Sequence, residues 1–357
     1  MKKEQIYLPG LNGIRMIAAL TVVISHTLLG INQFGIKQNQ GLTFAGYGVT
    51  MFFTLSGFLI TYLLVKEKKA FNTISIKSFY IRRILRIWPL YYLYLVIAII
   101  GVAFFHFEGK LDNTIWYYIF LMPNVPFVLT LSIPLIAHYW SLGVEEQFYL
   151  FWPWLIKKFA PINAVLLFLI IFTTVKFLLR IGASGSFLYI FICVTRFDCM
   201  AIGALFAILL DKGKVRFLKI AFNKLTQLCG ILIILLAAAN KLILPDFINQ
   251  FVFSIASAIL IINVSFNKKS LVNLEYKICN FIGRISYGIY VYHPFMIYLL
   301  VLALKRANLS GNDYFDTLII ISLVILLTIF VSWLSYEFFE KKFLVLKTKF
   351  AQILSRP

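Results

Sequence analysis

The chain has 357 residues, 61% of them apolar and only 13% charged, with a formal net charge of +20. A soluble domain averages about 45–50% apolar and about 25% charged residues, so this composition exceeds what one aqueous core can bury. The positive charge lies mainly in short loops between apolar blocks, which marks it as a topology signal; no nucleic-acid partner is expected.

In chain order, apolar runs predict helices over 12–30, 46–65, 86–106, 140–159, 162–180, 188–210, 221–240, 248–266, 282–304 and 316–339. Many approach the roughly 20 residues needed to cross about 30 Å of hydrocarbon, so the lipid bilayer is the solvent. The expected fold is all-α, a polytopic integral membrane bundle of about ten transmembrane helices. The first run follows MKKEQ but carries Arg15 and His26 and lacks a small-residue cleavage site, so it reads as a retained helix rather than a signal peptide. The apolar stretch 116–134 is interrupted by Pro123, Pro126 and Pro134. A re-entrant or interfacial segment is expected there, because freed backbone groups at membrane depth need protein partners.

Ten spans put both termini on one side. The loops of that side hold 24 Lys and Arg against 6 in the opposite set, which predicts cytoplasmic termini. Residues 1–345 read as one transmembrane domain and 346–357 as a short basic cytoplasmic tail. Cys193, Cys199, Cys229 and Cys279 lie in or beside apolar blocks with neither a CxxC pair nor a metal-type spacing. They read as buried thiols, and no metal site or permanently bound cofactor is expected.

Ionisable groups inside spans cost roughly 2.5–3.5 kcal/mol at a helix centre, so each needs a reason. Arg15 and His26 are eleven residues apart, about 20° out of phase and about 16 Å apart along a helix, and form one polar stripe. Taken alone, Arg15 is equally a snorkelling residue and His26 a structural hydrogen-bonding one. The fourth span opens with WSLGVEEQFY at 140–149. Glu145 and Glu146 point about 100° apart, so one at most faces a given partner. Either the helix dipole stabilises them, or Glu145 accepts a hydrogen bond from His26 and fixes its tautomer. Arg83 and Arg86 share a helix face in YIRRILRIWP at 80–89, suited to anchoring on anionic headgroups or to recognising donor phosphates. Arg196 and Asp198 in CVTRFDCMAIGA read by default as an ion pair. In GRISYGIYVYHP at 283–294, Ser286 and His293 share one face, and Tyr287 and its neighbours alone would be ordinary belt tyrosines. No Gly-rich phosphate loop, GxSxG elbow or HExxH is present, so ordinary hydrolase and nucleotide-loop chemistries lack support.

Together the segments LPGLNGIRMIAALTVVISH, GVTMFFTLSGFLIT, RRILRIWPLY, WSLGVEEQFYLFWP, RFDCMAIGAL, GRISYGIYVYHP and YEFFEKKF resemble, in order and spacing, the acyltransferase 3 family of membrane acyltransferases. The resemblance covers nearly the whole chain. It implies a bacterial-type cytoplasmic membrane protein moving an acyl group, most often acetyl from acetyl-CoA, to a hydroxyl of a carbohydrate or glycolipid acceptor. It implies that His26 is the reacting residue, that Arg15, Arg83 and Arg86 serve the donor, and that Glu145 is the carboxylate of the WSL motif. Trp140, Ser141, Glu146, Arg196, Asp198, Ser286, Tyr287 and His293 are further candidate site residues. Asn12 and Thr50 stand where family members often have Asp, so acidic roles do not carry over there. The extra extracytoplasmic domain of some members is not expected, so the chain completes transfer itself or passes the acyl group to a separate extracytoplasmic acceptor protein. The rival reading is a transporter or flippase of a glycan or lipid-linked intermediate, although internal repeats and paired helix breaks are not found.

Overall fold

The computed structural model describes residues 5–36, 44–104, 111–304, 312–351 and 353–356. A short strand β1 (Gln5–Tyr7) leads into α1 (Leu11–Leu29), α2 (Ala45–Phe71) and α3 (Ile76–Phe104). Two short helices, α4 (Ile115–Ile119) and α5 (Asn124–Val128), precede a 3-10 turn at Pro134–Tyr139 and α6 (Trp140–Lys158). Then come α7 (Pro161–Ala183), α8 (Phe187–Thr195), α9 (Phe197–Asp211), α10 (Val215–Ala221), α11 (Lys224–Ala238) and α12 (Asp246–Phe266). The chain continues with α13 (Lys277–Arg284), α14 (Ser286–Leu304) and α15 (Asp313–Ser335). A π-helical turn at Tyr336–Glu340, α16 (Lys341–Lys349) and strand β2 (Leu354–Arg356) follow. The fold is an all-α multi-pass membrane bundle.

Ten spans were expected, and eight stretches among the described residues are long and apolar enough to cross a membrane, α8 and α9 together forming one of them. The pair α10 and α11, bent by 55°, makes a ninth. Helix α6 is the exception: it is 19 residues long but carries Glu145, Glu146, Lys157 and Lys158, a composition that hydrocarbon rejects unless protein surrounds it. Protein covers most of it, leaving Leu150 and Trp154 exposed on its outer side. It runs beside α2 in the same direction, from the edge-to-face rings of Phe53 and Trp140, past the Trp152 indole donating to Thr61 Oγ1 at 2.8 Å, to Lys68 Nζ on the carbonyls of Ile156 and Lys157.

Helix α2 is the centre of the bundle, with 83% of its most apolar window buried against 22% for the peripheral α7. Its crossing with α9 is as close as helices approach. A Cβ on Gly203 would stand 2.0 Å from the Thr54 carbonyl oxygen, so only glycine allows this backbone contact, the small-residue packing expected where lipid supplies no hydrophobic drive. Gly283 of α13 does the same against the Asn12 carbonyl at 2.0 Å, seating GRISYG on the start of α1.

Strands β1 and β2 pair in parallel, Ile6 opposite Ser355, which brings both termini to one end of the bundle. At that end Glu275 accepts from the Gly10 backbone N–H at 2.5 Å and from the Tyr7 hydroxyl, satisfying the opening of α1. The stretch read as a tail therefore begins inside α16 and ends in a strand. Of the charges used to orient the chain, Lys2, Lys3, Lys37, Lys110, Lys305 and Arg306 lie outside the described residues. The apolar stretch 116–134 is broken as its prolines require. Its freed carbonyls find tyrosines of α3: Tyr91 donates to Tyr118 O at 2.8 Å and Tyr92 to Ile119 O at 2.9 Å, as backbone at membrane depth demands. Among the cysteines, Cys199 and Cys279 are buried, Cys193 is half-buried and Cys229 is exposed on α11.

Candidate active site

The polar stripe of α1 ends in two different surroundings. At the terminal end, Arg15 is buried and donates to Asn12 Oδ1 at 2.9 Å. It lines a cavity of about 110 Å³ with Arg83 and Arg86 of α3, Glu145 and Ser141 of α6, and Ser286, Tyr287 and Tyr290 of α14. The i, i+3 spacing of Arg83 and Arg86 thus aims both at one space, as it should on a helix face. Glu145 accepts from the Tyr149 hydroxyl at 3.1 Å. That hydroxyl has one proton, so Ser56 donates to it in turn. Glu146 faces away, accepting from the Trp88 indole at 2.9 Å; the adjacent carboxylates diverge as helix geometry requires.

The expected bond between Glu145 and His26 is not made. Glu145 lies about 7.5 Å along α6 from Trp140, at the depth of the arginines, whereas His26 lies three residues from the opposite end of α1. Its partner is His293 of α14, with His26 Nδ1 and His293 Nε2 2.8 Å apart and the rings stacked at 5.0 Å. The other nitrogen of His293, Nδ1, lies 2.8 Å from the Tyr290 carbonyl oxygen. That carbonyl is free because residue 294, four further on, is the proline inside α14, which has no N–H to close the helical bond. A carbonyl only accepts, so His293 carries its proton on Nδ1 and offers a lone pair at Nε2. His26 must then donate from Nδ1, which leaves His26 Nε2 as a bare lone pair. His26 is half-buried and His293 fully buried.

Tyr290 and Ser141 connect the two surroundings. Both line the arginine cavity. Their hydroxyls lie 2.6 Å apart, and Tyr290 donates to the His138 carbonyl at 2.9 Å. The Tyr290 ring lies 5.8 Å from that of His293. Sequence reading missed Tyr290, taking it for a belt tyrosine, and missed His138 altogether. The His138 imidazole is buried edge-on to His293 at 5.2 Å, and neither of its nitrogens reaches a partner among the described residues. Its place two residues before the WSL motif was the available signal. Among the described residues no three His, Cys, Asp or Glu side chains are grouped to hold a metal ion.

Arg196 and Asp198 are not paired with each other. Arg196 occupies the break between α8 and α9 with φ of 46°, and residues two apart do not face one another. Its guanidinium donates to Gly46 O at 2.7 Å and Thr50 Oγ1 at 2.9 Å and lies over the Trp140 ring at 5.5 Å. Asp198 takes Lys176 of α7 at 3.0 Å. Ser286 faces the arginine cavity, and Tyr287 donates to the Ile87 carbonyl at 2.8 Å, fixing α14 against α3. With Asn12 and Thr50 where acids were expected from the family, both Arg15 and Arg196 are held by neutral oxygens, so their charges stay uncompensated by these partners.

A multi-pass helical membrane domain with a hydrogen-bonded histidine pair beside a cationic cavity is the class of protein that this geometry defines. The acyltransferase domain family matches residues 8–337, and the chain belongs to that family. It is 29% identical over 96% of its length to "Putative O-acetyltransferase SACOL0978" of Staphylococcus aureus, covering 58% of that protein. It is 27% identical over 94% of its length to "Putative peptidoglycan O-acetyltransferase YrhL" of Bacillus subtilis, covering 54% of it. A segment of 157 residues is 32% identical to "Peptidoglycan O-acetyltransferase OatA" of Listeria monocytogenes, which is 41% of this chain and 24% of that protein. The chain thus spans little more than half the length of the relatives it matches from end to end. No solved structure matches it.

Proposed function

We propose that the protein transfers an acyl group, acetyl in the first instance, from a CoA thioester entering at the terminal end to a hydroxyl of a carbohydrate-type acceptor at the opposite end. The observation that carries this reading is the hydrogen-bond chain from the Tyr290 carbonyl through His293 to His26, because it leaves one imidazole nitrogen bare and oriented. An oriented lone pair is what a general base needs. Arg15, Arg83 and Arg86 bind the donor phosphates, which guanidinium forks suit. The thioester arm extends along the cavity toward Ser141 and Tyr290. The acceptor oxygen attacks the thioester carbonyl while its proton passes to His26 Nε2. The Ser141 hydroxyl turns its proton from Tyr290 to the oxyanion that develops, while Tyr290 keeps its bond to the His138 carbonyl; collapse of the oxyanion expels the CoA thiolate, which takes the proton back from the imidazolium. A carbohydrate acceptor is supported by relatives named for peptidoglycan.

The test is acetyl transfer from radiolabelled acetyl-CoA to peptidoglycan fragments and other cell-surface glycans by the purified protein. Absence of transfer to every hydroxyl acceptor, with the histidine pair intact, overturns the reading. Cytoplasmic termini are part of the same proposal, supported by the loop charges. A cysteine placed by Ala70→Cys should resist impermeant labelling in sealed cells, and its reaction there reverses the orientation.

A further inference from the structure

The C-terminal helix covers two more cavities. One, of about 280 Å³, is bounded by Arg15, Arg86, Tyr287, Arg284, Glu340 and Lys347; the other, of about 90 Å³, by Arg82, Arg83, Arg86, Glu67 and Lys347. Arg86 stands where these two meet the cavity that leads toward Ser141 and Tyr290. Glu67 is already committed to Arg82 at 3.3 Å and to the Ser75 backbone N–H at 2.8 Å. Glu340 accepts from Ser335 at 3.3 Å. Among the described residues neither the Arg86 nor the Lys347 side chain makes a hydrogen bond or an ion pair, and Lys347 is half-buried. The larger cavity therefore gathers four cations around one carboxylate. Like charges so placed repel one another, and a polyanion relieves that repulsion through charge-assisted hydrogen bonds.

The order of these spaces sets a sequence of chemistry along the donor. Hydroxyls stand at the inner end of the small cavity, guanidiniums at the junction, and a second cationic chamber lies beyond it under α16. An acyl-CoA has the same linear order: a thioester arm, a pyrophosphate, and a nucleotide carrying a separate 3′-phosphate. Resting on the proposed donor, we propose that Lys347 with Arg284 recognises this 3′-phosphomonoester, so that the C-terminal helix is a wall of the donor site. Arg83 and Arg86 hold the pyrophosphate, and Lys347 distinguishes CoA from a donor that ends in an unphosphorylated ribose.

The experiment is a binding titration of the full-length protein in nanodiscs with CoA and with 3′-dephospho-CoA, which needs no acceptor. Wild type should prefer CoA by about tenfold or more, the size of one charged hydrogen bond. Lys347→Ala should lose that preference by weakening CoA while leaving dephospho-CoA unchanged, and Lys347→Arg should keep it. Arg86→Ala should weaken both ligands. Equal weakening of both ligands by Lys347→Ala, or no change in either, overturns the assignment. A wild-type protein that binds neither ligand overturns the CoA donor itself, and the 3′-phosphate site falls with it.

Discussion

The two ends of the α1 stripe solve opposite problems. Around Arg15 the cations outnumber the carboxylates and face open space. Around His26 two imidazoles, His26 and His293, are closed into a chain of two 2.8 Å hydrogen bonds ending on a backbone carbonyl, and His138 lies beside that chain without joining it. The first arrangement is poor for the protein alone and improves with a polyanion bound. In the second, the His26–His293 pair is satisfied without a ligand and offers the His26 Nε2 lone pair to reaction. In the proposed reaction, recognition of the donor would use unsatisfied charge and proton transfer would use satisfied geometry; the two regions meet at Tyr290, whose hydroxyl faces one and whose carbonyl serves the other.

The largest effect expected from breaking this division is at His26. His26→Ala should lower turnover by about 10²- to 10⁴-fold, the usual contribution of a general base, with CoA affinity and folded yield preserved. Acetyl transfer normalised to monodisperse protein measures it, and near-wild-type turnover would remove the catalytic role. Next comes His293. His293→Phe keeps a ring but loses the acceptor, and should cost roughly 5- to 100-fold in kcat, the range for one unmatched hydrogen bond, at unchanged KM for the donor. His293→Gln, whose amide oxygen can accept from His26 Nδ1, should recover part of the loss; a purely structural role predicts lower yield and no such recovery.

At the other end, Arg83→Lys together with Arg86→Lys should raise the Kd for CoA about tenfold, because a point charge does not replace a bidentate fork. Unchanged binding in isothermal titration would make the pair a lipid anchor. The smallest effect distinguishes the two regions most sharply. Glu145→Gln removes a carboxylate from among arginines, so CoA binding should tighten roughly two- to fivefold at low salt with kcat close to wild type. A fall in kcat without a change in affinity would return Glu145 to the histidine's side.

Much of the architecture is legible in the residues. Apolar runs and charged loops predict the all-α membrane bundle, and the 3.6-residue period joins Arg83 to Arg86 and aligns Arg15 with His26. In the stretch that contains α4 and α5, Pro123 and Pro134 stand at element boundaries, while Pro126 lies within the first turn of α5, where its missing N–H is tolerated. Even one hydrogen bond of the site is written locally: Pro294 leaves the Tyr290 carbonyl without a helical donor, and His293 is the side chain within reach. Tertiary structure decided everything that depends on depth and on which helices adjoin. It matched His26 with His293 across 267 positions, placed Glu145 with the arginines, separated Arg196 from Asp198, and folded the basic end of the chain over the arginine-lined cavities as α16. The physical reason is that a helix's own sequence fixes which residues share a face, because its internal hydrogen bonds are local. The neighbour that meets that face is set by close packing at glycines such as Gly203 and Gly283, whose partners lie on other helices.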